Sequence, residues 1–443
     1  MAKMAEKHFF GVMDCNNFFV SCERNFNPKL LDKAVVVLSN NDGCAISRSQ
    51  EAKCIGIKMG MPAFKIEQEF INKGIEVEFC SSNYTLYADM SRRVMNVLRS
   101  IVNKVEEYSI DECFIDFSGL TKTQIIEKGK EIVYKVRKYT GIPVSVGIAP
   151  TKTLAKVATH YAKKYKGYRG FCIIDSTEKR EKALRLLDIK EVWGIGYRSV
   201  KFLKDEGICN ALDFVNANEY WVKKRMGVNG LKCLMELRGE SVISLEKVVD
   251  RQSITTSRSF GSLIEEKEQL QVAVSNFAAS CAEKLRAQQS ATYMAVVFLT
   301  TNSFREDLPQ YTNSAVVEFE EATNDTISIV EESVRALNTI YKSGFKYKKA
   351  GVMLQRIIPQ DQVQQNIFIK KNYSKEKRIN ELLDDVNRRF GRNKLHLAIQ
   401  GSSVYNRASV KKGDNLERWE MKREHLSGNY TTNLEEVITI KAT

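Results

Sequence analysis

Two adjacent carboxylates, Asp111 and Glu112, stand between two strand-forming runs, residues 105–110 and 113–117. Asp and Glu are depleted from strand interiors, so an acidic pair flanked by Ile110 and Phe114 belongs at the tip of a hairpin. A polar turn would account for it equally well. A second stretch favours more than a turn. Residues 9–13 (Phe-Phe-Gly-Val-Met) read as a buried strand that ends in Asp14, and Cys15-Asn16-Asn17-Phe18-Phe19 opens a helix. A carboxylate ending a core strand, beside a carboxylate pair at a hairpin tip, presents hard oxygen ligands to Mg²⁺ next to a substrate's phosphates. Two such ions, about 3.5 to 4 Å apart, stabilise the attacking and leaving oxygens of an in-line phosphoryl transfer. Asp14, Asp111 and Glu112 are the candidate ligands.

A chain of 443 residues exceeds one typical domain and suggests about three. Its net charge of +14 suits a polyanionic partner, either nucleic acid or a membrane surface. No apolar run has transmembrane length and no signal peptide is evident, so a soluble intracellular protein is expected. The ten cysteines are scattered without a Cys-x-x-Cys pair, which argues against a disulfide framework or a zinc site and for ordinary small core residues. The four histidines (His8, His160, His396, His425) form no spaced ligand motif and read as structural.

Along the chain, strands and helices first alternate. A short strand at 34–38, the loop Ser39-Asn40-Asn41-Asp42-Gly43 and a helical pattern running to Gly56 make a small insert. Its Arg48 and Lys53 are placed to lie over phosphates. A helix is expected over 122–139 and a buried strand over 144–148. The following Ala149-Pro150-Thr151-Lys152 opens another helix whose free N–H groups and Lys152 favour an anion, or simply form a solvated basic end. At Val192-Trp193-Gly194-Ile195-Gly196 a helix–glycine hairpin–helix unit is expected. Such a unit clamps nucleic-acid backbone without reading bases, although a plain helical hairpin is the alternative. From about 240 to 250 the pattern lapses into a linker. The order β (253–260), α (267–289), β (293–301), β (314–319), α (325–341), β (349–358) then defines a split βαββαβ domain of nearly neutral charge. DNA would meet its helix-free face through residues such as Arg251, Arg258 and Arg305. After Pro359 a polar stretch carries Ile367-Phe368 as its one strongly apolar pair, more like a peptide ligand than core. An amphipathic helix follows at 375–390, with Ile379, Leu382, Leu383, Val386 and Phe390 on its apolar face, and then a basic tail.

The chain resembles the Y family of translesion DNA polymerases, in its UmuC branch. The resemblance rests on Asp14 with Phe18-Phe19, Ser39-Asn40-Asn41-Asp42-Gly43-Cys44, Ser81-Ser82-Asn83-Tyr84, Tyr108-Ser109-Ile110-Asp111-Glu112, Thr151-Lys152-Thr153-Leu154-Ala155-Lys156 and Val192-Trp193-Gly194-Ile195-Gly196. Further on it rests on Ser257-Arg258-Ser259-Phe260-Gly261, Lys349-Ala350-Gly351-Val352-Met353-Leu354 and Trp419-Glu420-Met421-Lys422-Arg423. It covers nearly the whole chain.

The resemblance implies an α+β multidomain, right-hand architecture. Its parts are a palm (1–27 and 79–178), small fingers (28–78), a helix-hairpin-helix thumb (179–240), a linker (241–252), a little finger (253–359) and a clamp-binding motif with a UmuC-type tail (360–443). It implies error-prone, template-directed DNA synthesis through lesions in the SOS response to DNA damage. Two Mg²⁺ would sit on Asp14, Asp111, Glu112 and the Cys15 carbonyl. The dNTP would be held by Asn17, Phe18, Phe19, Gln50, Lys53 and Lys152, with Lys152 on the triphosphate and Phe19 as steric gate against ribonucleotides. Gly194, Gly196 and Arg258 would hold the DNA backbone. Gln364, Ile367 and Phe368, within Gln364-Gln365-Asn366-Ile367-Phe368, resemble the peptide that docks bacterial polymerases on the sliding clamp. Primer–template DNA, dNTPs, the clamp, a UmuD′-like dimer and RecA are the implied partners, in the bacterial cytoplasm at the nucleoid. No exonuclease segment is evident, so proofreading is expected to be absent. Two departures stand out. Gln50 and Lys53 replace the Tyr and Arg that much of the family places on the triphosphate, and residues 400–417 do not follow the UmuC pattern. A catalytically inactive DNA-binding scaffold and a nucleotide cyclase on a palm-like sheet are the alternatives from other classes. The three carboxylates argue against the first, and the thumb-like hairpin with the split βαββαβ pattern against the second.

Overall fold

Val144–Ala149 is buried at all six positions, and Phe10–Cys15 at all but Asp14. Strands covered on both faces read as continuous apolar runs, and these two lie inside a five-stranded sheet. The computed structural model describes residues 8–246, 250–364, 372–391, 393–401 and 421–438. The chain divides into two compact units, Met1–Val248 with Glu424–Thr443, and Val249–Arg423.

In the first unit β1 (Phe10–Cys15) leads into α1 (Phe18–Phe26). An insert follows, made of β2 (Val35–Leu38), β3 (Ala45–Arg48), α2 (Gln50–Cys54), α3 (Ala63–Glu69) and β4 (Glu78–Ser81). Its three strands form their own sheet, in the order β3-β2-β4, over a small core that includes Val36, Leu38, Ala52 and Ile66. Next come α4 (Tyr84–Arg99), the hairpin β5 (Val105–Glu107) and β6 (Glu112–Asp116), α5 (Lys122–Thr140), β7 (Val144–Ala149), α6 (Lys152–Lys164) and β8 (Phe171–Ile173). The large sheet has the order β5-β6-β1-β7-β8, antiparallel except between β7 and β8. Period-two alternation sorts its residues between two cores. Met13, Cys15, Cys113 and Ile115 join residues of α1, α4 and α5 on one face, while Phe10, Val12 and Phe114 join Leu154, Ala155 and Ala158 of α6 on the other. The unit continues through α7 (Thr177–Leu186), α8 (Tyr197–Asp205), α9 (Ala211–Val215) and α10 (Glu219–Arg238).

The second unit has β9 (Ile254–Ile264), α11 (Lys267–Ala287), β10 (Ser290–Thr301), β11 (Thr312–Thr323), α12 (Thr326–Ile340) and β12 (Tyr347–Pro359). This is the expected βαββαβ order, with sheet order β11-β10-β12-β9 and both helices packed on one core. A last helix, α13 (Tyr373–Phe390), docks on it through polar groups. Asp384 takes a two-pronged contact from Arg286 (2.7 and 2.6 Å), and the buried Asn380 bonds Asp325 and the Thr326 amide. The apolar face expected on this helix is only partly covered, for Leu382 and Phe390 stay exposed.

Four local expectations are corrected. Residues 45–48 are a strand where a continuous helical pattern was expected, because four residues carry too little periodicity and the partner β2 is what decides. The edge strand β8 was not foreseen. Only Asp111 sits at the hairpin tip, for Glu112 is already the first residue of β6. The tail is not one segment beyond the second unit: residues 424–438 belong to the first. All ten cysteines are free, seven of them buried. No helix among the described residues is long and apolar enough to cross a membrane.

One close approach positions α6. A Cβ added to Gly147 of β7 would collide with the Thr159 amide nitrogen and the Ala155 carbonyl, both backbone atoms of α6. Thr159 Oγ1 also donates to the Val12 carbonyl of β1 at 3.2 Å. Gly147→Ala must therefore push the helix off the sheet, and a loss of about 1–3 kcal/mol is expected from overpacking alone. Denaturant unfolding of the purified variant checks this, and an unchanged midpoint would contradict the contact.

Candidate active site

The antiparallel register of β1 with β6 sets Asp14 directly opposite Glu112. Like charges across a strand pair repel. Burial pushes the Asp14 carboxyl up to about 6; the nearby Lys163 opposes that rise and Glu112 adds to it. Compensation comes from one face of α6. Lys163 Nζ lies 2.6 Å from Asp14 Oδ1 and Lys156 Nζ 2.8 Å from Glu112 Oε2. The two lysines are seven residues apart, about two helical turns, and so project from the same side. Lys156 also sits 4.6 Å from the centroid of the Tyr108 ring.

The third carboxylate is held differently. Asp111 accepts from Ser109 Oγ at 2.7 Å, and its carbonyl accepts the Cys15 N–H at 2.8 Å. Among the described residues no three His, Cys, Asp or Glu side chains are gathered closely enough to hold one ion as they stand. The donor set still fits a hard divalent cation: oxygen ligands only, two of them facing each other on neighbouring strands and each already paired with a cation.

The lysine expected on the triphosphate lies elsewhere. Lys152 is buried, its side chain 2% exposed, and pairs with Glu106 Oε2 at 2.6 Å while its ammonium sits 4.4 Å from the Phe114 ring centroid. The anion-favouring start of α6 is real, but the chain supplies its own anion. Glu236 of α10, fully buried, accepts the Thr153 N–H at 3.0 Å through one oxygen and the Val242 and Ile243 amides through the other. Lys152 and this helix end thus join α10 to the sheet. Lys163 is the lysine at Asp14, and only the helical spacing 152–156–163 in the sequence could have pointed to it.

Around Asp14 the insert contributes Lys53, whose ammonium donates to Asn17 Oδ1. Burial, then the charges of Lys163 and Arg48, hold the Lys53 ammonium below its usual range. Asn17 adopts the left-handed conformation (φ 48°), which Asn tolerates better than most residues. The turn it makes sends Phe18 into the core and leaves Phe19 half-buried, stacked on Tyr87 of α4 at 4.4 Å and 13°. Gln50 is exposed on α2, and Arg48 is committed to the Ile57 carbonyl at 2.6 Å.

Of the residues expected on DNA, Gly194 and Gly196 are exposed on either side of the buried Ile195, and Gly194 has φ 92°. A three-residue 3₁₀ turn, Ile189–Glu191, precedes them where a short helix was expected. Trp193 ties this hairpin to the β5–β6 hairpin by donating to the Tyr108 hydroxyl at 3.1 Å. Arg258 is corrected. It shares its parity on β9 with the core residues Ile254 and Phe260, and its guanidinium lies 6.0 Å from the Phe277 ring centroid of α11, on the helix side. Gln364 is exposed, whereas Ile367, Phe368 and residues 402–420 lie outside the described residues.

Models of the impB/mucB/samB family match residues 13–160, those of its C-terminal domain residues 251–367, and a domain of unknown function residues 377–440. The chain is 39% identical over 436 residues to Protein UmuC of Salmonella typhimurium, covering 98% of this chain and all of that one. Protein ImpB of the same organism is 39% identical over 97% of this chain and 98% of its own length. DNA polymerase IV of Staphylococcus aureus is 28% identical over 68% of this chain and 90% of its own. Among solved structures, a Y-family DNA polymerase chimera of Dbh and Dpo4 superposes with a TM-score of 0.65 at 23% identity, covering 79% of this chain and 99% of that one. The chain therefore belongs to the impB/mucB/samB family, that of UmuC, and has the fold of a Y-family DNA polymerase.

Proposed function

We propose that the protein is a template-directed DNA polymerase of the translesion type, acting in the response to DNA damage. What carries the reading is the pairing of Asp14 with Glu112 on adjacent strands, beside Asp111, in a chain of the UmuC family. The reaction joins the primer 3′-oxygen to the α-phosphorus of a dNTP; the bond to the bridging oxygen breaks and pyrophosphate leaves. Asp14, Asp111, Glu112 and the Cys15 carbonyl would hold two Mg²⁺. Bound there, the ions lower the pKa of the 3′-hydroxyl and neutralise charge on the leaving pyrophosphate.

The chain's own residues do the positioning. Lys53 and Lys163, close enough to repel each other, make a site that a triphosphate relieves. The Phe19 ring, fixed by Tyr87, occupies the side of the sugar that a 2′-hydroxyl would need. The exposed Gly194 and Gly196 offer backbone to a phosphate without reading sequence. A sliding clamp held through Gln364, Ile367 and Phe368 would supply the residence that backbone contacts lack at physiological salt. A UmuD′-like dimer and RecA are the further partners that kinship to UmuC suggests.

Primer extension tests the core of this reading. Asp111→Ala should lower extension by orders of magnitude while DNA binding, followed by a mobility shift, survives. Retained extension would reject the assignment and leave a DNA-binding scaffold.

The two lysines should separate cleanly. Lys163→Ala is expected to raise the KM for dNTP and, because Asp14 then loses its paired cation, to lower stability, but by less than Lys152→Ala because the Lys163 side chain is much more exposed. Lys152→Ala should destabilise the fold by about 3–5 kcal/mol, because it strands Glu106 in a half-dry site. Steady-state kinetics and unfolding midpoints measured on both variants decide, and a raised KM confined to Lys152→Ala would reverse the assignment.

The clamp motif is tested by the double variant Ile367→Ala with Phe368→Ala. It should lose clamp binding and clamp-stimulated extension while extending short primers as before. Normal clamp binding would make the segment a linker only.

A further inference from the structure

Glu23 is a carboxylate that the reaction does not use. It sits on α1, one turn after Phe19, and is 2% exposed. Among the described residues no lysine or arginine pairs with it; its partners are two hydroxyls. Tyr87 donates to Glu23 Oε1 at 2.6 Å and Ser427, from the far end of the chain, donates to the same oxygen at 3.1 Å. Burial raises the Glu23 carboxyl above its usual range, and these two hydrogen bonds oppose the rise. A buried carboxylate depends on its donors, so the three residues are held as a unit.

The segment that carries Ser427 is firmly seated. The Ser81 N–H donates to the His425 carbonyl at 2.9 Å, and the His425 N–H returns a bond to Ser81 Oγ at 3.0 Å. Asn83 caps α4 with its oxygen, while its Nδ2 lies 3.1 Å from Ser427 O, Ser427 Oγ and Gly428 O. Tyr430 stacks on Phe26, centroids 5.3 Å apart. The buried Ser81-Ser82-Asn83 stretch, which no step of the reaction needs, is thus in large part the seat of the tail. The path from tail to sugar pocket has no gap: Ser427 bonds Glu23, Glu23 bonds the Tyr87 hydroxyl, and the Tyr87 ring stacks on Phe19.

We propose that Ser427, Glu23 and Tyr87 are positioning residues for the gate, through which the C-terminal segment sets the discrimination between deoxy- and ribonucleotides. The proposal rests on the reading of Phe19 as that gate. The geometry acts on the ring and not on the carboxylates, so selectivity should change with catalysis largely intact.

Single-nucleotide incorporation by the full-length chain, with kcat/KM measured for a dNTP and its matched rNTP, tests it. Ser427→Ala should shift the dNTP-to-rNTP ratio toward ribonucleotides by about 2- to 10-fold, the worth of one hydrogen bond, with dNTP kcat/KM within about two-fold of the parent. Tyr87→Phe, which keeps the ring and loses the hydroxyl, should shift the ratio in the same direction, and Ser427→Thr should restore it. Phe19→Ala is the reference and should relax the ratio far more. If Phe19→Ala relaxes it while Ser427→Ala and Tyr87→Phe do not, the tail is packing only and the proposal is overturned. If Phe19→Ala leaves the ratio unchanged, the gate reading itself has failed, and this inference with it.

Discussion

The facing of Asp14 and Glu112 across β1 and β6 is the constraint on which the rest of the first unit depends. Two carboxylates in register on a half-buried sheet repel each other, and a fold can keep them there only by supplying positive charge close by. Here the supply is a helix laid across the sheet, whose Lys156 and Lys163 reach the two acids from one side. The helix can come that close because Gly147 has no side chain beneath it. A missing methyl group on a core strand and the charge state of the site are therefore linked. A hard cation would have the same claim on these oxygens as the ammonium groups, so a metal site built on them would be stable before the metal arrived.

The same helix shows how one residue type serves two ends. Lys152, a turn before Lys156, is sealed between Glu106 and the Phe114 ring, and Glu106 also accepts the Glu246 N–H at 2.7 Å. Glu236 ties the start of α6 to α10 and to the amides that follow it. Helix N-termini attract anions, and whether that anion is a ligand or a side chain of the same protein depends on what packs against it. In this chain it is a side chain, and the helix end is a joint.

Charge is distributed unevenly in purpose as well as in number. The second unit holds its last helix by Arg286 with Asp384 and by the buried Asn380, polar contacts that no hydropathy pattern would place. Its Arg258 turns toward Phe277, so an arginine inside a family motif serves the helix side of its sheet. The C-terminal segment 424–438 returns to the first unit, where Ser81, Asn83 and Glu23 receive it. A stretch near the end of the sequence is thereby in contact with a side chain one turn from Phe19.

Much of this was legible in the sequence alone. Apolar runs bounded by turn residues located β1, β7 and all six elements of the βαββαβ unit, since those elements are long enough for their period to show. The acids at 14, 111 and 112 could be singled out as candidates because charge at a strand end needs a reason that local chemistry can state, and the facing of Asp14 with Glu112 followed only from the strand register. What the tertiary structure decided were pairings between distant residues. That residues 45–48 form a strand depends on pairing with β2, and that Lys163 and not Lys152 reaches Asp14, that Glu236 fills the anion site of α6, and that Ser427 bonds Glu23 depend on contacts dozens to hundreds of residues apart. A period of two or 3.6 residues assigns a side chain to a face. Which partner waits on that face is settled only when the layers pack, because hydrogen bonds and ion pairs act over a few ångströms of space and carry no record of separation along the chain.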